Sequence, residues 1–597
     1  MSSGRVVNSE RLDRFVLDVR EQRSPSEGST GRRWPIRATQ QERSARWAGR
    51  LVMLLGLVSV VSALFPPWRP RLHLLTEVLP PLAPAVASAI TVPLGLILFW
   101  LSIGLRHRKR RAWQVAVGTS ALLVVLHVVK GLDIEEATFS ATVLILLLVA
   151  RPAFTGAPDP RSHRHLGLAV LVGLSSATFV GLGLLIADPD NVVGSPGIWS
   201  LLQQVWLGLF GVPGPLQFDS GTTESRVATA LLLLGCMVAA GILAAALRPA
   251  GGPHRLTSAE ALRVRELLTA HGGLDSLGYF ALRDDKSVIF SPTGKAAIAY
   301  RVVGGVSLAS GDPLGDPEAW PGAIACWLAE TKGYAWVPAV LGASERGAEA
   351  YERCGLDALE LGDEAVVDVG DFTLEGRSMR GVRQAESRLR RKGYSTEVFR
   401  LQTQPRERVE ELVVLSEAWR DGQVERGFSM ALGRFGDPRD RDVVVVTCTD
   451  SEGVPRGLLA FVPWGCDGLS LDLMRRSGEA DNGVVELMVT ALLAQAPQLA
   501  VRRVSLNFAV FRAVFERGGR LGAGPVLRLW HRFLLLASRF WQIESLYRAN
   551  AKYRPVWEPR FLCFVRARDL PRIGAAALEA EAFIRRPGFL GGCKQFP

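Results

Sequence analysis

The stretch GLSLDLMRRSGEADNGVVELM, Gly468–Met488, sets an acid inside an apolar strand pattern. Asp472 stands between Leu471 and Leu473, Arg475 and Arg476 follow, and Glu486 lies on the next helical pattern. A buried carboxylate is costly unless it is paired or put to use. Strand alternation places Ser470 and Asp472 opposite Leu471 and Leu473. If the leucines pack inward, Asp472 faces a cleft. Arg475 then either pairs with Asp472 as a structural ion pair or offers its guanidinium to a phosphate. Glu486 falls four residues after Asn482, so a helix beginning near Asp481 puts both on one face. Asn507, in VSLNFAV, is a polar amide in an apolar strand; it serves either as a hydrogen-bond donor to a reacting carbonyl or as a satisfied core group.

Other chemistry finds little support in the sequence. There is no G-x-x-x-x-G-K-[ST] phosphate loop. Outside the apolar N-terminal half the histidines are His254, His271 and His531, and none has a nucleophile nearby in sequence. The seven cysteines form no CxxC pair, and no His/Cys/Asp cluster has metal spacing, so neither a metal nor a cofactor is expected. Carboxylates, guanidinium groups and amides remain.

The elements that must position these groups begin near Ser258. TSAEALRVRELLTAHGG (Thr257–Gly273) has the pattern of a capped helix ended by glycine. Short apolar runs then alternate with helical patterns: SVIF, AAIAYRVV and GVSLAS before AWPGAIACWLAETKG, and later DVVVVTCTD, RGLLAFVPW and GLSLDLM before a helix from Asn482 and RRVSLNFAV. This is a mixed α/β pattern repeated twice. It predicts lobes over 257–375 and 401–570, with a tail over 571–597. Between them, EGRSMRGVRQAESRLRRKGY predicts a basic helix within 376–400, carrying Arg380, Arg383, Arg388 and Arg391. Such a helix is either a solvated face or a phosphate-binding surface for RNA or anionic lipid. NAKYRPVWEPR adds Lys552, Arg554 and Arg560, as phosphate contacts or as a solvated loop. In SGDPLGDP, Asp312 is expected to be a turn residue.

The first half is different. Residues 1–46 form a polar, Arg-rich stretch with no apolar run, expected to be a disordered tail. Across 47–250, six apolar stretches suit a bilayer: Leu51–Leu64, Leu82–Leu105, Trp113–Val129, Ala141–Ala150 with its flanks, Leu166–Ala187 and Val227–Leu247. IWSLLQQVWLGLF (Ile198–Phe210) suits an interfacial or re-entrant segment. Connecting loops alternate between basic, as in RHRKRR (Arg106–Arg111), and acidic, as in DIEE (Asp133–Glu136). That asymmetry places both termini in the cytoplasm of a multi-pass cell-membrane protein, although Arg69 and Arg71 run the other way. The formal net charge of +12 favours anionic partners, nucleic acid or membrane surface.

Taken together, DSLGYFALRDDKSVIFSPTGKAAIAYRV, LASGDPLGDPEAWP, LELGDEAVV, MRGVRQA, VERGFSMALGRFGDP, SLDLMRR, NGVVELMV, VSLNFAVFRAVFE and YRANAKYRPVWEPRF resemble the bacterial phosphatidylglycerol lysyltransferase family. They are closest to the transferase half of the mycobacterial members that join this domain to a lysyl-tRNA synthetase. The resemblance covers roughly 257–570. It implies a multi-spanning α-helical membrane domain followed by a cytoplasmic α/β domain of two tandem acetyltransferase-like lobes, the second catalytic. It implies transfer of an aminoacyl group, lysyl first, from aminoacyl-tRNA to a glycerol hydroxyl of phosphatidylglycerol, with a separate lysyl-tRNA synthetase supplying the donor. One ester replaces another, so this step uses no ATP. Under that implication Asp472, Arg475 and Glu486 are catalytic candidates, and Asp472, Glu486 and Glu425 are the carboxylates for the lysyl ammonium groups. Ser429, Asn482, Asn507, Lys552, Arg554 and Arg560 join Glu425 as substrate-binding candidates, while Arg380, Arg383, Arg388 and Arg391 meet tRNA or lipid phosphate. Transfer of alanine or ornithine, another lipid acceptor, a non-catalytic sensor or transport scaffold, and a homo-oligomer stay open.

Overall fold

The computed structural model describes residues 40–64, 83–106, 108–131, 134–154, 156, 162–186, 192–194, 196–246, 255–420, 427–510 and 549–584. Seven described helices make up the N-terminal half: α1 (Gln40–Leu64), α2 (Ala83–Arg106), α3 (Arg110–Gly131), α4 (Ile134–Val149), α5 (Ser162–Ile186), α6 (Ile198–Leu209) and α7 (Gly221–Ala246). Each of the six apolar stretches read from the sequence falls on one of these helices, and Ile198–Leu209 is the short seventh. Among the described residues, four helices are long and apolar enough to cross a membrane, over Arg43–Ser62, Arg110–Val129, Gly167–Ile186 and Gly221–Ile242. In α2 the apolar stretch is the shorter Ile90–Arg106, and α4 has 16 residues. Helix α1 already begins at Gln40, so the tail expected to reach residue 46 gives way to helix earlier; residues 1–39 lie outside the described residues. Helices α1 to α4 share a core that includes Leu55, Leu98, Ala116 and Leu147. There α1 and α2 cross closely, for a Cβ on Gly56 would lie 2.6 Å from the Gly95 carbonyl oxygen. Helices α5 to α7 form a second cluster around Leu185, Val205 and Leu231.

The C-terminal half opens with α8 (Ser258–His271), capped by Thr257 and Glu260 in a reciprocal capping box. There follow β1 (Ser287–Phe290), β2 (Ala296–Val303), β3 (Val306–Ser310), β4 (Leu314–Gly315), α9 (Trp320–Gly333), β5 (Val337–Ala343), α10 (Glu345–Arg353), β6 (Asp357–Asp368), α11 (Arg380–Arg391), β7 (Ser395–Arg400) and α12 (Arg406–Ala418). The repeat continues with β8 (Val444–Thr449), β9 (Pro455–Trp464), β10 (Gly468–Arg476), α13 (Val484–Gln495), β11 (Arg503–Val510), β12 (Val556–Phe564) and α14 (Leu570–Ala580).

The two lobes share one pattern. Antiparallel strands lead to β3, helix α9 crosses over, and β5 returns parallel to β3. In the second lobe β7 to β10 are antiparallel, α13 crosses over, and β11 returns parallel to β10. This is the tandem acetyltransferase-like architecture. The lobes are not separate sheets, however. The strand order is β1-β2-β3-β5-β12-β6-β11-β10-β9-β8-β7, with β4 on β2. The lobes exchange their last strands: β6 of the first pairs with β11 of the second, and β12 of the second lies between β5 and β6. The division at 375/401 therefore follows the chain but not the sheet.

One sheet face carries α9, α10, α11 and α13, through clusters that include Trp327, Tyr351, Leu389 and Leu492. The other carries α8, α12 and α14, around Val264, Leu412, Ile573 and Phe428. The basic helix occupies Arg380–Arg391, shorter than the basic stretch, and Gly393 at φ 85° ends it.

Candidate functional site

The second face of the sheet bears a row of buried polar side chains. It follows from register: Ser310 on β3, Arg560 on β12, Glu364 on β6, Ser505 on β11 and Ser470 on β10 all point to the side away from α13. Arg560 is 2% exposed and ion-paired to Asp275 at 2.7 Å and to Glu364 at 2.5 Å. Ser276 Oγ donates to Glu364 Oε1 at 2.5 Å and receives an Arg560 N–H at 2.6 Å. Ser505 Oγ–H also donates to Glu364, and Ser470 Oγ–H donates to the Ser276 carbonyl at 2.7 Å. Arg560, expected to meet a substrate phosphate, is thus enclosed and bonded to carboxylates. WEPRF gives no local sign of this, because Glu364 and Asp275 reach it from distant parts of the chain.

Asp312 belongs to the same buried group. Its backbone N–H donates to Asp275 Oδ2 at 2.8 Å. Its carboxyl meets the Ser344 N–H at 2.8 Å and Ser344 Oγ at 2.5 Å, at the start of α10. Burial, then the neighbouring Asp275 charge, pushes its acid up to about 7. Asp312 is more than a turn residue; it anchors a helix start.

Asp472 sits on a β-bulge. Register shifts between Leu471, opposite Phe461, and Leu473, opposite Ala460. The extra residue breaks alternation, so Leu471 and Leu473 pack into clusters on opposite faces of the sheet. The expectation that both leucines share one face is corrected by this bulge. Asp472 Oδ1 accepts the Leu432 N–H at 2.6 Å. Further irregularities lie between Ser505 and Phe508 on β11 and between Arg560 and Phe561 on β12. Asn507 falls in the first of them, and its side chain lies outside the described residues. Bulges are a common way of re-aiming side chains near sites.

The segment running from Gly427 to Arg434 lies over this face and joins the ends of the polar row. Phe428 N–H and Ser429 N–H donate to Glu581 at 2.6 and 3.1 Å, and Ser429 Oγ–H donates to it at 2.8 Å. Arg283 donates to the Gly427 and Ala431 carbonyls. Beneath Phe428 lies Lys286, fully buried, with Nζ 2.6 Å from Ser310 Oγ. Asp472 therefore meets the covering segment that carries Ser429, and Lys286 and Ser310 join them unforeseen. Nothing in RDDKSVIF marks this lysine for burial, because Phe428 reaches it from a distant part of the chain. Glu425 lies outside the described residues.

Glu486, Asn482 and the arginines of α11 gather on the opposite face, with α11 and α13. Glu486, in the first turn of α13, accepts from Lys552 Nζ at 2.7 Å. Gly483, at φ 105°, forces α13 to start at Val484 rather than near Asp481. Asn482 is therefore an exposed turn residue before the helix, and its carbonyl accepts from Arg388 at 2.5 Å. Arg475 donates to the Met474 carbonyl at 3.1 Å. Arg554 is exposed, at φ 54°. Arg380, Arg383, Arg388 and Arg391 are all exposed. Arg383 also holds the Leu374 and Gly376 carbonyls, and Arg391 Nε the Ser387 carbonyl. Asp472 and Glu486 thus do not converge on one ammonium. Among the described residues no His/Cys/Asp/Glu group could hold a metal ion.

Residues 265–564 match the family model described as phosphatidylglycerol lysyltransferase, C-terminal, and residues 40–248 match the transmembrane region of lysyl-tRNA synthetase. The lysylphosphatidylglycerol biosynthesis bifunctional protein LysX of Rhodococcus opacus is 45% identical over 503 residues, covering 83% of this chain and 45% of its own. That of Gordonia bronchialis is 39% identical over 563 residues, 91% of this chain and 49% of its own. The chain thus spans about half the length of these relatives. The structure of L-PGS from Bacillus licheniformis aligns at 23% identity and a TM-score of 0.48, over 54% of this chain and 97% of that one.

Proposed function

We propose, from the premise that this chain belongs to the phosphatidylglycerol lysyltransferase family, that it moves an aminoacyl group, lysyl first, from aminoacyl-tRNA to a glycerol hydroxyl of phosphatidylglycerol. The product carries added positive charge and makes the membrane surface less anionic. The observation that carries this reading is Asp472: an acid re-aimed by a bulge toward a covering segment, within the stretch that matches the family. A carboxylate there suits a lysyl ammonium. The reaction exchanges one ester for another, which accords with a site built of carboxylates, amines and hydroxyls. The helical half holds the domain at the bilayer where its acceptor resides. The basic loops support a cytoplasmic C-terminal half, where aminoacyl-tRNA is found. In this reading the donor arrives already charged, from a lysyl-tRNA synthetase on a separate polypeptide.

The test is full-length protein in phosphatidylglycerol vesicles with labelled lysyl-tRNA. Label passing into the lipid fraction supports the reading. Alanyl-tRNA, ornithine-charged tRNA and vesicles of other lipids run alongside distinguish the alternative donors and acceptors. A chain that binds tRNA and lipid but moves no label is a scaffold, and the transferase reading falls.

A further inference from the structure

Lys286 does not have the surroundings of a structural lysine. It is 0% exposed. Its Nζ lies 2.6 Å from Ser310 Oγ and 4.6 Å from the centre of the Phe428 ring. An ammonium group has three N–H bonds to satisfy, and Ser310 is the single hydrogen-bond partner that Nζ reaches among the described residues. The charged groups facing it are Arg283, Asp285, Arg301 and Glu581. The two acids are engaged elsewhere: Asp285 with Arg283 and Arg301, Glu581 with Phe428 and Ser429. Burial, then the Arg283 charge, brings the lysine down to about 7. Once neutral, Nζ carries a lone pair, and the same 2.6 Å contact runs the other way, with Ser310 Oγ–H as donor.

The position of the pair is equally telling. Ser310 is the fifth residue of β3, as Asp472 is of β10. Ser310 closes the parallel pairing of β3 with β5, and Asp472 lies just past the end of the β10 pairing with β11. Phe428 covers Lys286, and Leu432, four residues on, donates to Asp472. One segment therefore spans from the amine to the acid.

We propose that Ser310 and Lys286 form a proton relay for the ester exchange, an inference that rests on the transferase reading above. Ser310 Oγ–H passes its proton to Lys286 Nζ while taking one from the acceptor glycerol hydroxyl. The glycerol oxygen forms a bond to the acyl carbon and the ribose oxygen leaves it. The relay runs back, and the proton ends on the departing ribose oxygen. One C–O bond forms and one breaks, with no net change in protons or electrons.

The test uses Ser310→Ala and Lys286→Met in the full chain, assayed with labelled lysyl-tRNA and phosphatidylglycerol vesicles across pH 5.5–9. Each variant is expected to lose about a hundredfold in kcat with KM little changed, and to lose the rise in rate near neutrality. Wild-type kcat and pH profile in Ser310→Ala overturn the relay, and this variant decides if Lys286→Met fails to fold. An independent readout is NMR of lysine-labelled full-length protein, with the Lys286 signal assigned by its loss in Lys286→Met. Titration near neutrality, displaced in Ser310→Ala, supports the relay; titration in the ordinary lysine range overturns it. If the wild type moves no aminoacyl group to phosphatidylglycerol, the transferase reading fails, and the NMR titration alone decides whether Ser310 and Lys286 exchange a proton.

Discussion

At the scale of single residues, half-buried Asp472 and fully buried Asp312 are acids with different duties. Asp472→Asn keeps an oxygen for the Leu432 N–H and deletes the charge. If the charge holds an ammonium group, that contact is worth roughly 1.5–3 kcal/mol. Lysyl transfer should then fall by about one to two decades while the thermal melt stays near wild type. A lowered melt with near-normal transfer would make Asp472 a structural acid. For Asp312 the prediction is one of stability. Burial and Asp275 raise its acid to about 7, against an ordinary value of 3.8. The protonated form is favoured by folding, so its contribution is fully present below about pH 4. It is lost as pH rises through about 7. Asp312→Asn mimics the protonated acid and can donate to Ser344 Oγ. The variant should flatten the decline in melting temperature between pH 5 and 8, measured beside wild type. An unchanged slope would place that titration elsewhere.

At the scale of elements, the basic helix α11 separates two kinds of arginine. Arg383 and Arg388 bond to backbone carbonyls of the preceding loop and of Asn482, whereas Arg380 is exposed and Arg391, also exposed, bonds back to the Ser387 carbonyl of its own helix. Arg380→Ala with Arg391→Ala should weaken tRNA or anionic-lipid binding at low salt and leave the melt alone, with the difference shrinking as salt rises. Arg388→Ala should also lower the melting temperature, because it frees the turn before α13. Equal binding by the double variant and wild type at low salt would leave α11 a solvated face. Helices and strands of this kind were legible in the sequence because their causes are local: apolar runs in α3 and α5, the Thr257–Glu260 capping box, the arginine run of α11. What stayed hidden depends on contacts between distant segments. Nothing near Leu471 announces a bulge, since β9 imposes it, and alternation alone put both leucines on one face. Arg560 reads as a surface cation for the same reason, and nothing in RDDKSVIF singles out Lys286. Their burial is set by Glu364, Asp275 and Phe428, which the fold delivers from far along the chain.

At the scale of the molecule, the exchange of β6 and β12 makes the two lobes one folding unit. A chain divided near residue 400 leaves the first piece without β12 and the second without β6, each exposing a bare strand beside a polar row that needs Arg560 or Glu364. Each piece expressed alone should be insoluble or melt without cooperativity, and co-expression should restore a soluble complex. Two independently folded, cooperative pieces would contradict the exchange. The same exchange has a consequence for biosynthesis. Arg560 donates to the carbonyl of Gly342, 218 positions earlier. At roughly 5–20 residues per second, the ribosome needs on the order of ten to forty seconds to supply that partner. Throughout that interval the nascent chain, its helices already emerging for insertion, carries β5 and β6 with open hydrogen-bonding edges. Nascent-chain chaperones would have to shelter those edges until the last strand is translated.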